Sequence, residues 1–307
     1  MKVLKVVGIG LAGLVLVGLG LYAWASFAAS RKLSRKYATH TVDFVIPSPA
    51  RRQEAAEALE RGRHLVGSRY GCAECHGASF GGGVMVDNGA IGSILGPNLT
   101  AGRGSVTGGY RAADWDRIVR HGLKRDGTPA LMPSQDFRQM SDQELSDIVV
   151  FLRSQPAVDR EVPPPRLGPL GKALVASGKF TLSADVISSH DTPHAELPPE
   201  AGLTIEFGRH VAATCMGCHR NDLGGGPIVG GDPSWPPASN LTPGPEGLGE
   251  WTFTQFAAAL REGKRPDGTP VRPPMTNVTP YAQRMTQTEM QALWSYLRSV
   301  PAVSDRD

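Results

Sequence analysis

The pentapeptide Cys-x-x-Cys-His occurs twice in the chain, as Cys72-Ala73-Glu74-Cys75-His76 and as Cys215-Met216-Gly217-Cys218-His219. This is the covalent attachment box for a c-type haem. Two thiols at this spacing reach the two vinyl groups of one porphyrin, and the adjoining imidazole is held over the iron as an axial ligand. The boxes contain all four cysteines of the sequence, so none remains for a disulfide or a separate thiolate site. Two covalently bound haem c groups are expected, with Cys72, Cys75, Cys215 and Cys218 as attachment points and His76 and His219 on the iron.

The boxes lie within a longer internal repeat, the feature that sets the organisation of the chain. Gly62-Arg-His-Leu-Val recurs as Gly208-Arg-His-Val-Ala, Asn98-Leu-Thr as Asn240-Leu-Thr, and Asp126-Gly-Thr-Pro as Asp267-Gly-Thr-Pro. Phe151-Leu-Arg-Ser recurs as Tyr296-Leu-Arg-Ser, and each copy ends Pro-Ala-Val; the offset stays between 141 and 146 residues. Two homologous units are read, 48–158 and 201–307. Residues 159–200, with Pro163-Pro164-Pro165 and Pro198-Pro199, read as a semi-rigid Pro-rich linker, and Leu167, Leu170, Leu174, Val175 and Phe180 give it apolar side chains to lay on a neighbouring unit. In each unit Ser141-x-x-Glu144 or Thr286-x-x-Glu289 forms a capping box, followed by an apolar stripe at helical spacing: Leu145, Ile148, Val149, Leu152 and Met290, Leu293, Trp294, Leu297. No strand pattern of useful length is read in either unit, so the expected class is mainly α.

The formal charge of +3 is unevenly placed. Residues 1–40 carry six Lys/Arg and no acid, leaving 26 basic residues against 29 acidic ones in the remainder. A near-neutral body excludes a basic face for nucleic acid. The stretch from Val3 to Ala29 is apolar apart from Lys5, long enough to cross a bilayer core and longer than the usual core of a cleaved signal peptide. Residues 1–40 are read as an N-terminal membrane anchor, with a signal segment as the alternative. Four basic residues follow the span and two lysines precede it, which alone would place the body in the cytoplasm. The haem boxes overrule that balance, because c-type haem is attached outside the cytoplasmic membrane in bacteria, and the body is expected in the periplasm.

The sixth iron ligand separates electron transfer from catalysis, since Met/His ligation raises the potential and leaves no site for a substrate. Two methionine pairs match across the repeat. Met140 and Met285 each precede a capping residue, where a hydrophobic staple packs onto the helix. Met132 and Met275 sit beside Pro133 and Pro273-Pro274, each 56 residues after its box histidine, and are taken as the ligands. Zinc is a poor rival, because each box offers at most three of the four ligands of a closed site and leaves the methionines unexplained. A thioredoxin-like redox pair lacks its βαβ context. His64 and His210 are read as surface or propionate-side residues, His121 as an ordinary polar position, and His40, His190 and His194 as solvated.

With the boxes and the downstream methionines in place, the chain resembles a diheme cytochrome c of the class I type, similar to the cytochrome subunits of membrane-attached periplasmic dehydrogenases. The resemblance covers residues 50–158 and 201–303. It implies short helices wrapped around haem and a proline after each box that buttresses the axial histidine. Pro97 fits that role, whereas the second unit has Ser239, which marks the second haem as the one expected to differ in potential or histidine orientation. The expected function is electron transfer, not catalysis, from a dehydrogenase or quinol-oxidising partner to an oxidase or soluble cytochrome. The alternative is a catalytic diheme enzyme, a peroxidase or sulfur-compound dehydrogenase, with one open haem.

Overall fold

The computed structural model describes residues 2–304 except 41, 43, 49, 229, 230, 232 and 233; the last three residues of the second expected unit lie outside the described ones. The chain opens with α1 (Lys2–Leu33), which has no acid in its first turn and Arg31 and Lys32 in its last, where they complement the helix dipole. Lys5–Leu33 is apolar and long enough to cross a membrane, and its candidate span is exposed. Near its end, Ala25 and Ala29 are buried.

The first unit contains α2 (Arg52–Leu65), α3 (Cys72–His76), a hairpin of β1 (Gly83–Asn88) and β2 (Gly92–Gly96), α4 (Ala112–His121) and α5 (Asp142–Arg153). The hairpin is a strand pair that the periodicity did not reveal. Its strands are antiparallel with a register irregularity between Val84 and Val86, and that bulge breaks the simple alternation. The Asn88-Gly89 turn was the available signal: the Asn88 side chain accepts from the backbone N–H groups of Ala90 and Ile91.

Residues 159–200 are not an extended spacer. They form a strap around the first unit, comprising β3 (Arg166–Leu167), α6 (Pro169–Ser177) and α7 (Ser183–Val186). β3 extends the hairpin sheet by pairing with β2. α6 packs on α1, with Val175 fully buried and Lys32 Nζ donating to its carbonyl at 2.9 Å. At its far end the strap offers the carbonyls of Ala195 and Glu196 to the N–H groups of Asp142 and Gln143, filling donors that the start of α5 leaves open.

The second unit contains α8 (Ile205–Ala212), α9 (Met216–His219), α10 (Phe253–Arg261), α11 (Met275–Ala282) and α12 (Gln287–Ser299). Both expected capping boxes form: Ser141 N–H donates to Glu144 Oε2 at 2.8 Å and Thr286 N–H to Glu289 Oε2 at 2.8 Å. In each unit the first helix crosses the last, α2 on α5 and α8 on α12. The expected stripes supply the two separate cores, with Leu145 and Val149 in one and Met290 and Leu293 in the other. Met140 is buried in the first core and Met285 packs against the second, the staple positions read for them.

Candidate haem sites

In the first unit, one helical turn carries Cys72, Cys75 and His76. In the second, Cys215 ends a short 3₁₀ turn and Cys218 and His219 follow on α9. Each imidazole is held from behind by a backbone carbonyl: His76 Nδ1 donates to the Pro97 oxygen at 2.9 Å, and His219 Nδ1 to the Ser239 oxygen at 2.7 Å. A carbonyl only accepts, so Nδ1 carries the proton and Nε2 is left bare as a ligand atom. The absence of proline at Ser239 therefore does not change the tautomer or the hydrogen bond, because the partner is the main chain. Burial lowers the pKa of both imidazoles, and the carbonyl bond only partly opposes it, so both rings are neutral near pH 7.

The carbonyls are fixed by a latch built from two repeated tripeptides. Asn98 Nδ2 donates to the Val158 oxygen at 2.7 Å while Asn98 Oδ1 accepts from Thr100 N–H and Oγ1. Asn240 repeats this with the Val303 oxygen at 2.6 Å and with Thr242. The Asn-Leu-Thr and Pro-Ala-Val repeats thus bind each other, and the residue just before each asparagine supplies the carbonyl that orients the histidine. These asparagines are buried; the sequence marks them only as members of a repeat, and the structure shows what they hold.

Of the box thiols only Cys215 feels a nearby cation, Arg69, and burial outweighs it. Burial pushes Cys72 up to about 12 and Cys215 up to about 11, and it also raises Cys75 and Cys218. Reactive redox thiols need the opposite environment. Met275 opens α11 and lines a cavity of about 730 Å³ together with Cys215, Cys218 and His219. That volume is within the roughly 300–1,000 Å³ usual for cofactor sites. Met285 lines the same cavity. Met132 lies in the loop before the 3₁₀ turn Ser134–Phe137, where its carbonyl accepts from Ser183 Oγ of the strap and from Ser134 N–H. A cavity with two thiols, a bare Nε2 and a thioether sulfur among apolar walls fits a covalently attached haem.

The two sites share one interface. His64 Nε2 meets Glu289 at 3.0 Å, and its repeat partner His210 meets Glu144, the repeat partner of Glu289, at 2.9 Å. Such reciprocity marks a contact between like surfaces. His64 and His210 are therefore interface residues, not the surface or propionate-side groups expected. The segments after the methionines also exchange: the space beside Gly217 in the second box is occupied by Asp136, and the Tyr281 ring lies against Gly71, just before the first box. Burial pushes the Asp136 carboxyl up to about 6. Domain 1 has a three-residue excess between His64 and Cys72 relative to His210 and Cys215, which forms the π-helical turn Val66–Tyr70. From that turn, Ser68, Arg69 and Tyr70 line the second cavity, and Arg69 pairs with Glu144 at 2.9 Å and donates to the His210 carbonyl.

Residues 205–301 match the family described as cytochrome c, and residues 57–152 the family described as cytochrome c oxidase, cbb3-type, subunit III. The chain thus carries two cytochrome c domains in tandem with two covalently bound haem c, the equipment of an electron-transfer protein. It is 26% identical to a diheme cytochrome c-type protein of Cereibacter sphaeroides, over 76% of this chain and 83% of that one. It is 27% identical to the cytochrome c subunit of a quinone alcohol dehydrogenase from Gluconacetobacter polyoxogenes, over 83% of this chain and 58% of that one. Against the fructose dehydrogenase cytochrome subunit of Gluconobacter japonicus it is 26% identical, over 84% of this chain and 55% of that one. The chain spans little more than half the length of these dehydrogenase subunits.

Proposed function

We propose that the chain is the membrane-anchored electron-transfer subunit of a periplasmic oxidoreductase system, taking electrons from a dehydrogenase partner and delivering them to a downstream cytochrome or oxidase. The reciprocal interface between the two domains carries this reading, because it brings both haem-bearing segments against each other within one body. The names of its relatives as cytochrome subunits of alcohol and fructose dehydrogenases support the donor class. The packing of Ala25 and Ala29 and the Lys32–Val175 hydrogen bond favour a retained anchor over a cleaved signal, since cleavage would uncover α6. The functional units run 48–158 and 201–307, with 159–200 as the strap.

Bound haem supplies reversible one-electron chemistry at iron. The chain attaches it through Cys72 and Cys75, and through Cys215 and Cys218. His76 and His219 are aimed by the Pro97 and Ser239 carbonyls, and Met132 and Met275 would supply the remaining iron ligands. Thioether ligation and a mostly apolar lining would disfavour the more positive oxidised iron, which raises the potential. Haem held by these histidines and methionines would keep no open position for a substrate, which makes the subunit a carrier and not an enzyme.

The test uses full-length chain extracted from membranes in mild detergent. Its oxidised spectrum is expected to show the thioether-to-iron charge-transfer band at an intensity for two haems, and Met275→Ala is expected to remove about half of it and lower one of two potentials. Cyanide binding to one haem of the native protein would overturn the two-methionine assignment. Release of the chain from membranes by salt alone would overturn the anchor.

A further inference from the structure

Four side chains outside the haem boxes converge: His40, Asp116, His121 and His194 each offer one ligand atom, all within 4.8 Å of one another. They come from three distant parts of the sequence. His40 follows α1, Asp116 and His121 lie on α4, and His194 lies near the end of the strap. Asp116 and His121 are fully buried, and the His194 side chain is 8% exposed. The expectation of solvated His40, His190 and His194 and of an ordinary polar His121 fails here, because the fold gathers them.

The hydrogen bonds around the cluster fix which nitrogens are bare. His190 Nε2 donates to the Ala184 carbonyl at 3.1 Å, so in its neutral form its Nδ1 is an acceptor. That nitrogen faces His121 Nδ1 at 3.0 Å, which must then carry the proton, leaving His121 Nε2 unprotonated. His40 Nδ1 donates to the His190 carbonyl at 3.2 Å, which leaves its Nε2 bare as well. His121 Nε2 lies 3.5 Å from Asp116 Oδ2 and 3.2 Å from His194 Nε2. Asp116 Oδ2 is buried and has no hydrogen-bond partner. A bare imidazole nitrogen facing a bare carboxylate oxygen is two lone pairs in opposition, an arrangement that a cation between them would resolve.

The charge also suits a cation. Arg120 engages Asp116 Oδ1 and Asp142, each at 2.6 Å, so one guanidinium faces two carboxylates and the cluster retains one net negative charge. Imidazoles whose second nitrogen donates to a carbonyl or to a further histidine are the supporting pattern of metal-ligating histidines.

We propose that His40, His121, His194 and Asp116 Oδ2 bind one divalent first-row transition ion, for which Zn²⁺ is the best match. Three imidazoles and one carboxylate complete a tetrahedral shell, and a closed shell is structural. The ion would staple the segment following α1 and the end of the strap to α4, fixing how the anchor and the first domain are joined. This site is independent of the haem ligand assignment.

The test takes the full-length holoprotein, strips labile metal with a chelator that leaves the covalent haem in place, and titrates it with Zn²⁺ alone by calorimetry, with elemental analysis of the product. One zinc per chain is expected beside two irons, with a raised thermal midpoint and an unchanged haem spectrum. His121→Ala and His194→Ala are expected to weaken zinc binding by at least about 100-fold, and His190→Ala, acting through His121, by about 10–100-fold. Should His121→Ala not fold, His40→Ala provides the same reading, because His40 is only half-buried. Failure of the native protein to take up stoichiometric zinc, or native affinity in the His40 and His194 variants, would overturn the site.

Discussion

The smallest unit that matters to each haem is one backbone carbonyl and the asparagine beside it. Pro97 and Ser239 differ as side chains, yet both present an oxygen to the axial histidine. What holds that oxygen in place is the buried amide of Asn98 or Asn240, which joins the Asn-Leu-Thr turn to the Val158 or Val303 carbonyl. Asn240→Ala removes the donor and leaves the Val303 carbonyl without it, for an expected loss of about 1–3 kcal/mol by denaturant unfolding. A potentiometric titration should show the second haem moving while the first stays put, a split that general destabilisation would not produce. Equal shifts in both haems would defeat this role. The paired tripeptides were visible as repeats, but that they bind each other was not, because hydrogen bonding across 60 or more residues leaves no local pattern.

At the scale of elements, the first-to-last helix crossing repeats with its spacing set by glycine. A Cβ on Gly62 would lie 2.1 Å from the Asp147 carbonyl, and one on Gly208 would lie 2.1 Å from the Ala292 carbonyl. The backbone cannot yield as a side-chain end would, so Gly62→Ala and Gly208→Ala are each expected to cost about 1–3 kcal/mol through overpacking. Urea midpoints measure this, and an unchanged midpoint for both variants would show that the helices can separate freely. The Gly-Arg-His repeat already marked these positions. The hairpin of β1 and β2 was missed for a different reason: its strands are short, glycine-rich and bulged, so period-two alternation is lost while the Asn88-Gly89 turn alone remains as a cue.

The whole molecule is held by an interface in which each domain's capping glutamate receives the other domain's histidine. Burial alone would raise the Glu144 carboxyl, but the His210 hydrogen bond and the Arg69 charge outweigh it and bring it down to about 2. Glu289 is lowered in the same way by His64 and by the Thr286 N–H, again against burial. Both folded values lie below the ordinary 4.5, so their contribution is fully present above that pH and is lost as pH falls toward 2. For Glu144 the contribution is at most about 3 kcal/mol. Urea unfolding of the native chain should therefore weaken between pH 4.5 and 2. Glu144→Gln should start about 3–5 kcal/mol less stable, with Arg69 left buried and unpaired, and show a flatter dependence over that range. Parallel slopes for the two proteins would rule out this source of acid lability.

The sequence by itself determined the chemistry and the plan: two haem boxes, two tandem mainly helical units, an apolar first helix, and candidate methionines at equal distance from each box. These rest on spacing within one box, one helix or one repeat, where short-range geometry dictates the outcome. Tertiary structure alone decided how the pieces meet. It turned the Pro-rich linker into a strap, placed His64 and His210 in the interface, showed that a main-chain carbonyl holds the axial histidine with or without proline, and collected His40, Asp116, His121 and His194 into one cluster. Each of those outcomes depends on contacts between residues from about twenty to more than two hundred positions apart, which packing and burial select and which no periodicity along the chain encodes.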